Sequence, residues 1–131
     1  MITHWEEFQS GPTKPLDERK HVTLNKKNTI LLCGNIHEEM GRPTAVVLYF
    51  DKINDRIGII SASPDRHNAF PVIAQGKGRH RLIRATPFCK SHKIKVERTV
   101  VFPDAVIDER GMLGLDLKTA YEVERKARSR R

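Results

Sequence analysis

Near the start of the chain, residues 22–32 read Val22-Thr23-Leu24-Asn25-Lys26-Lys27-Asn28-Thr29-Ile30-Leu31-Leu32. Two short runs of aliphatic and β-branched residues flank a polar turn at residues 25–28, an arrangement typical of a β-hairpin. The sequence therefore predicts a pair of antiparallel strands at the start of the domain.

A short helix and a second hairpin are predicted next. Asn35 is expected to cap a helix over residues 36–40, Gly41 to end it in the left-handed conformation, and Pro43 to prevent its continuation. The second hairpin then consists of a buried strand at 45–50, a turn at 51–55 and a strand at 56–60.

The second half of the chain repeats this order. Three pairs of apolar residues are 52 positions apart: Ile36 and Phe88, Leu48 and Val100, Phe50 and Phe102. After a longer turn, Ile57-Gly58-Ile59 corresponds to Leu113-Gly114-Leu115. A duplicated unit predicts a pseudo-twofold barrel within one chain, which would leave no exposed sheet edges. The alternative is a coincidence between two ordinary β-rich halves.

The remaining predicted elements complete a single mainly β domain. They are a short N-terminal helix capped by Thr3, strands at 70–73, 82–85 and 95–102, a helix at 87–92, and a helix from Lys118 onward. The predicted organisation is an N-terminal helix and linker at 1–20, a first half-barrel at 21–62, a linker and basic loop at 63–81, a second half-barrel at 82–117, and a basic C-terminal helix or tail at 118–131.

Composition limits the class of protein. The chain has 131 residues, enough for one domain with its own core, and no apolar run approaches the length that spans a bilayer. Two cysteines, Cys33 and Cys89, are too few for a disulfide scaffold and lack metal-ligand spacing. Since no export signal precedes the domain, a cytoplasmic protein without membrane contact is expected.

The positive charge is local. The net charge is +8, but residues 74–98 carry 8 basic and 1 acidic side chains, and residues 118–131 carry 6 and 2. The first group contains the loop Lys77-Gly78-Arg79-His80-Arg81, and it lies in the second half of the repeat. This charge marks where a polyanionic partner would bind.

Residues 21–62 resemble the AbrB/MazE-like swapped-hairpin domain. The resemblance rests on the hairpin at 22–30, Ile36-His37-Glu38-Glu39-Met40-Gly41, the strand at 46–51 and Ile57-Gly58-Ile59-Ile60. It implies a barrel related to double-psi barrels, in which two such units interlock, and it implies DNA binding through basic residues near the first hairpin. The sequence departs from the family at Asn28, where glycine is common, and at Cys33-Gly34, where proline is usual.

The sequence predicts a non-enzymatic, DNA-binding protein of regulatory type. Glycines around a basic loop let several guanidinium groups approach one polyanion, and the low aromatic content favours duplex backbone over single strands. The predicted nucleic-acid-binding residues are Lys26, Lys27, Arg42, Lys77, Arg79, Arg81 and Arg84. The alternatives are an interaction module whose basic loop binds an acidic protein, and a solvated loop that only aids solubility.

No cofactor, metal or catalytic residue is predicted. His37 lacks a second histidine four residues later, as a zinc helix would need, and is expected on a solvated helix face. Cys89 and His92 are expected to be a buried thiol beside a surface imidazole. An enzyme of the double-psi class would need a pocket that gathers carboxylates or histidines such as Asp51, Asp65, His67 and Asp116.

Overall fold

The computed structural model describes residues 4–7 and 21–122. Within them the chain is mainly β, as predicted, with two short helices. The elements are β1 (Val22–Leu24), β2 (Thr29–Leu32), α1 (Gly34–Glu39), β3 (Ala45–Asp51), β4 (Arg56–Ser61), β5 (Phe70–Pro71), β6 (Ile73–Ala74), β7 (Arg81–Arg84), α2 (Thr86–Ser91), β8 (Val100–Val101), β9 (Val106–Ile107), β10 (Leu113–Asp116) and β11 (Tyr121–Glu122). Neither helix is long enough to cross a bilayer, and the described residues contain no other.

The strands form two antiparallel sheets. Sheet A has the order β11-β8-β1-β2-β7-β6, and sheet B has the order β5-β3-β4-β10-β9. Both predicted hairpins, β1–β2 and β3–β4, are confirmed, with Val22 opposite Leu32 in the first and Tyr49 opposite Gly58 in the second. Alternate residues of each strand face inward, so that Ile30 and Ile83 from sheet A and Ile57 and Leu113 from sheet B share one fully buried core.

Two chain segments join the sheets. Residues 70–74 contribute β5 to sheet B and β6 to sheet A, with only Val72 between them. Residues 100–107 likewise contribute β8 to sheet A and β9 to sheet B. The hydrogen-bond ladder breaks at both segments, so the strands of residues 21–122 form two open sheets and the predicted closed barrel is not observed.

Two elements of each half follow the 52-residue spacing of the predicted repeat. Both β2 with β7 and α1 with α2 begin and end 52 residues apart. The hydrogen bonds that end the helices follow the same spacing: Met40 N to the Ile36 carbonyl (3.0 Å) and His92 N to the Phe88 carbonyl (3.1 Å), then Arg42 N to the His37 carbonyl (2.9 Å) and Ile94 N to the Cys89 carbonyl (2.8 Å). Gly41 has the expected left-handed φ of 89°, and the corresponding Lys93 has a φ of 56°.

Equivalent strands of the two halves pair with each other. In β2–β7, Thr29 lies opposite Arg84 and Leu32 opposite Arg81, which is symmetric under the 52-residue shift. In β4–β10, Gly58 lies opposite Gly114. The aromatic ring of Phe50 in β3 also contacts Phe88 and His92 of α2, with ring centroids 6.3 and 4.8 Å away. The two halves are therefore interleaved, with strands of both in each sheet.

Two predicted elements of the second half are wrong. The strand expected at 95–102 is reduced to Val100–Val101, because β1 is three residues long and pairs only with that part of it. The helix expected from Lys118 is replaced by a turn, in which the Asp116 carboxylate accepts from Lys118 N (2.9 Å), and by β11. The rest of the C-terminal segment lies outside the described residues.

Two predictions near helix starts also fail. Asn35 does not cap α1, which begins after Cys33 and has no side-chain cap, because the Asn35 side-chain oxygen accepts from Arg79 instead (3.0 Å). Residues 4–7 are not helical, and the rest of the predicted N-terminal helix lies outside the described residues.

Candidate nucleic-acid interface

Lys26 and Lys27 are held outward by the turn of the first hairpin. The Asn25 side-chain oxygen accepts from Lys27 N and Thr29 N, each at 3.0 Å, and Asn28 closes the turn with a φ of 65°. Asparagine tolerates that conformation better than most residues, which explains its presence where the resembled family has glycine. Both lysines are exposed on a turn fixed by hydrogen bonds.

Arg84 lies beside this turn. It is opposite Thr29 in the β2–β7 pair, and the next residue, Ala85, donates its N–H to the Asn28 carbonyl (2.9 Å). Arg84 is exposed and alternates with the buried Ile83, so its side chain leaves the outer face of sheet A. We refer to Lys26, Lys27 and Arg84 as the turn cluster.

A second group of basic residues surrounds α1. The Glu38 carboxylate accepts from Arg79 at 3.2 Å and from Arg42 at 3.4 Å, and it thereby joins the basic loop to the end of the helix. Arg79 packs so closely on the start of α1 that a Cβ at Gly34 would lie 2.5 Å from the Arg79 Cβ. This contact accounts for glycine at position 34. Together with the exposed Lys77, Arg42 and Arg79 form what we call the helix cluster.

The Arg81 side chain is bound within the basic loop. Its guanidinium donates to the carbonyls of Gly78 (3.1 Å) and His80 (3.0 Å), which shapes the basic loop. Because Arg81 and Arg84 are three residues apart in one strand, their side chains leave opposite faces of the sheet. The predicted group is therefore divided: six residues form two clusters, and Arg81 supports the loop between them.

The two clusters lie at opposite ends of the β2–β7 pair. Arg84 is at the end near the first turn, and Arg81, adjoining the basic loop, is at the other. Three residue steps along a strand correspond to about 10 Å. Lys27 and Arg79 also occupy equivalent positions of the repeat, 52 residues apart.

The outer face of sheet B has the opposite character. A groove of about 480 Å³ crosses it, with Gly58 and Gly114 on its floor and Tyr49 and Val106 on its sides. The charged residues that line it are Asp51, Asp104, Asp108, Asp116, Arg56 and Arg110. No single stretch of sequence predicts this groove, although Gly58 and Gly114, each flanked by aliphatic residues, are its signal in the sequence.

Turns bind three carboxylates of this groove: Asp116, through the Lys118 N–H described above, and Asp51 and Asp108. Hydrogen bonds from Asn54 and Arg56 lower the pKa of Asp51 to about 2. Backbone hydrogen bonds from Met112 and Arg110 likewise lower the pKa of Asp108. Asp51 and Asp108 also pair with Arg56 and Arg110, at 3.1 and 3.3 Å. For Asp104 and Asp116, no ion pair is found within the described part of the chain.

The other candidate chemical groups are mostly structural. His37 is buried, contrary to the predicted solvated face, because its Nε2 donates to the Pro43 carbonyl at 2.9 Å. Cys89 is fully buried as predicted, and burial raises the pKa of its thiol. His92 packs against two aromatic rings. Among residues 4–7 and 21–122, no three histidine, cysteine or acidic side chains are placed to hold a metal ion.

The four residues that an enzyme of the double-psi class would gather in one pocket lie in two separate places. Asp51 and Asp116 both flank Arg56 across sheet B and line the groove. Asp65 and His67 lie in the exposed loop between β4 and β5, apart from the residues that line it.

We compared the chain with protein-family models, with curated proteins and with solved structures, and none of the three comparisons found a match.

Proposed function

We propose that this protein is a non-enzymatic DNA-binding protein of regulatory type, which contacts duplex backbone through the helix cluster and the turn cluster. One observation carries the proposal: Arg42 and Arg79, which come from different halves, meet at Glu38 on an exposed surface. Basic groups gathered on one surface neutralise phosphates and release counterions, and this supplies most non-specific affinity for DNA.

The spacing of the clusters supports duplex rather than a compact anion. The clusters lie at opposite ends of the β2–β7 pair, where an extended polyanion such as duplex backbone can contact both and a compact anion can contact only one. The acidic groove lies on the outer face of the other sheet, where repulsion from phosphates favours approach from sheet A.

The proposal includes the fold relationship. We propose that the chain carries two AbrB/MazE-like swapped-hairpin units in tandem, which together play the part that two chains play in that family. The repeated helix ends and the symmetric β2–β7 and β4–β10 pairs support this relationship. A cytoplasmic location, where duplex DNA is accessible, belongs to the same proposal.

Fluorescence anisotropy with a labelled duplex of mixed sequence tests the function. The wild-type protein should bind at low salt, and its affinity should fall steeply as salt rises. The variant Arg42→Ala/Arg79→Ala should bind more weakly and show a salt slope about 1 to 2 units shallower. The variant Arg56→Ala/Arg110→Ala removes the same charge from sheet B and should retain affinity and slope.

Two outcomes would overturn the proposal. One is the absence of duplex binding at low salt, and the other is equal weakening by the two double variants. If nuclease-treated lysate still yields one stoichiometric acidic protein bound through Arg42 and Arg79, the basic surface serves a protein partner instead.

A further inference from the structure

We propose that the groove on sheet B binds a basic peptide segment of a partner protein, by taking an arginine or lysine side chain between Tyr49 and Val106 and holding its cation at Asp104 and Asp116. This site lies on the other sheet from the DNA surface and does not depend on it.

Two central strands carry glycine at the same level of the groove floor, which is open at Gly114 and covered by the Met112 side chain at Gly58. Tyr49, Gly58, Gly114 and Val106 are in register across β3, β4, β10 and β9. Glycine within a strand weakens it and often marks a close approach by another chain or ligand. At Gly114 the fold does not need this, since a Cβ there would meet nothing nearer than the Val106 carbonyl at 3.8 Å.

The walls of the groove suit the stem of a long cationic side chain. Tyr49 offers an aromatic face, Val106 an aliphatic side, and Met112 a thioether that lies over Gly58. Arginine and lysine cover apolar surface with their methylene groups, and their cations are attracted to aromatic faces. Tyr49 and Val106 are 45% and 63% exposed, so a partner would bury apolar surface now in water.

The charge of the groove selects a cation. Arg56 and Arg110 pair with Asp51 and Asp108, whereas Asp104 and Asp116 have no ion pair within the described residues, and Asp116 accepts a backbone N–H, that of Lys118. With four aspartates and two arginines lining it, the groove carries net negative charge. The net charge of the protein is +8, but at physiological salt charges beyond about 8 Å are largely screened. A ligand in the groove therefore responds mainly to the groove's own carboxylates.

The shape of the groove favours a peptide over a free small molecule. Pockets for small ligands usually bury most of the ligand surface. This groove is an open trough whose walls are themselves exposed, so it supports only one side of a ligand. A polypeptide compensates by adding contacts along the sheet on either side of the bound residue.

The test uses the full chain and the peptide Ala-Arg-Leu-Arg-Ala with blocked ends, followed by backbone amide NMR. Addition of the peptide should shift the amides of Gly58, Gly114 and Val106, and Asp104→Asn/Asp116→Asn should weaken binding about tenfold. Gly114→Val should abolish binding by filling the floor. Replacement of both peptide arginines by glutamine should have the same effect as loss of the carboxylates.

The matched control is Arg42→Ala/Arg79→Ala, which should leave peptide binding unchanged and so separates this site from the DNA surface. Because the two aspartates are surface residues, their variant should keep the native amide spectrum even if Gly114→Val does not fold. The proposal is overturned if the peptide does not bind, if Asp104→Asn/Asp116→Asn binds it equally well, or if the shifts lie outside the groove. Self-association that depends on the groove, without peptide binding, would also overturn it.

Discussion

The two halves of the molecule share one strand and one helix, and they differ in their other strands and in their surfaces. Residues 29–39 and 81–91 form the same strand and helix, with helix ends made by equivalent hydrogen bonds. At the surface, Glu38 of α1 corresponds to Lys90 of α2, and β3 has seven residues where β8 has two. The equivalent positions therefore keep the core and the helix ends, while each half carries its own pattern of surface charge.

The largest expected effect concerns the shared core. Ile57 and Leu113 are equivalent, fully buried and located on the paired strands β4 and β10. Ile57→Ala and Leu113→Ala should each reduce the free energy of unfolding by about 2 to 5 kcal/mol, because each leaves a cavity in the same core. Urea denaturation followed by circular dichroism should show one transition in both variants. A second transition would mean that the halves unfold separately.

Smaller effects are expected at the turns that follow α1 and α2, where the two halves have different residues at the same position. Gly41 and Lys93 both have a positive φ, which costs an L-residue energy that glycine avoids. Gly41→Ala should destabilise by about 1 kcal/mol, with no steric clash involved, since a Cβ there meets nothing within 4 Å. Lys93→Gly should instead stabilise by about 0.5 kcal/mol.

Thermal denaturation of Gly41→Ala and Lys93→Gly beside the wild type measures the sign of each change in stability. Changes of the same sign would show that the two turns are not equivalent in energy, despite their matching hydrogen bonds.

A further difference between α1 and α2 is Glu38, which corresponds to Lys90, and its charge can be removed by substitution. Glu38 pairs with both Arg42 and Arg79, so it competes with phosphate for them. Glu38→Gln should raise duplex affinity about two- to fivefold, which is the scale of an exposed ion pair. Asp104→Asn removes the same charge from the groove on sheet B and serves as the control in the anisotropy titration. Unchanged or weaker binding by Glu38→Gln would contradict the expected competition.

The smallest expected effect is a pH dependence that compares Asp51 with Asp108. Each folded-state pKa lies below its unfolded value, so each aspartate stabilises the fold above pH 4 and loses that contribution as the pH falls. For Asp51 the loss extends down to about pH 2. Asp51→Asn should therefore flatten the fall of the urea midpoint between pH 4 and pH 2. Asp108→Asn should do so less, and the reverse order would contradict the comparison.

Much of the first half is predictable from the sequence because its signals are local. The turn at 25–28, the left-handed Gly41 and the aliphatic strand after Pro43 each specify their own conformation. The second half is less predictable because its structure depends on partners. Residues 95–99 have strand-like residues, but β1 is too short to pair with them.

The basic surface and the groove on sheet B are likewise only partly predictable from the sequence. The charges at Lys77 and Arg79 are visible in the sequence, but the contact of Arg79 with Glu38, and the diversion of Arg81 to backbone carbonyls, depend on how the loop folds over α1. The groove on sheet B arises from the register of four strands, which no single stretch of sequence encodes. The sequence predicts a solvated position for His37 because nothing in it shows that the side chain reaches the Pro43 carbonyl.

Because the two halves belong to one chain, they need not be identical, and this affects which DNA sequences the proposed function would favour. Two identical units that pair around an axis must present the same side chains twice, and they match a palindrome. Here Lys27 and Arg79 hold equivalent positions, yet one is on a tight turn and the other is bound to a neighbouring helix. Under the proposed DNA-binding function, a single chain with two unlike halves is not bound by that symmetry, so each half would contact a different sequence in an asymmetric target.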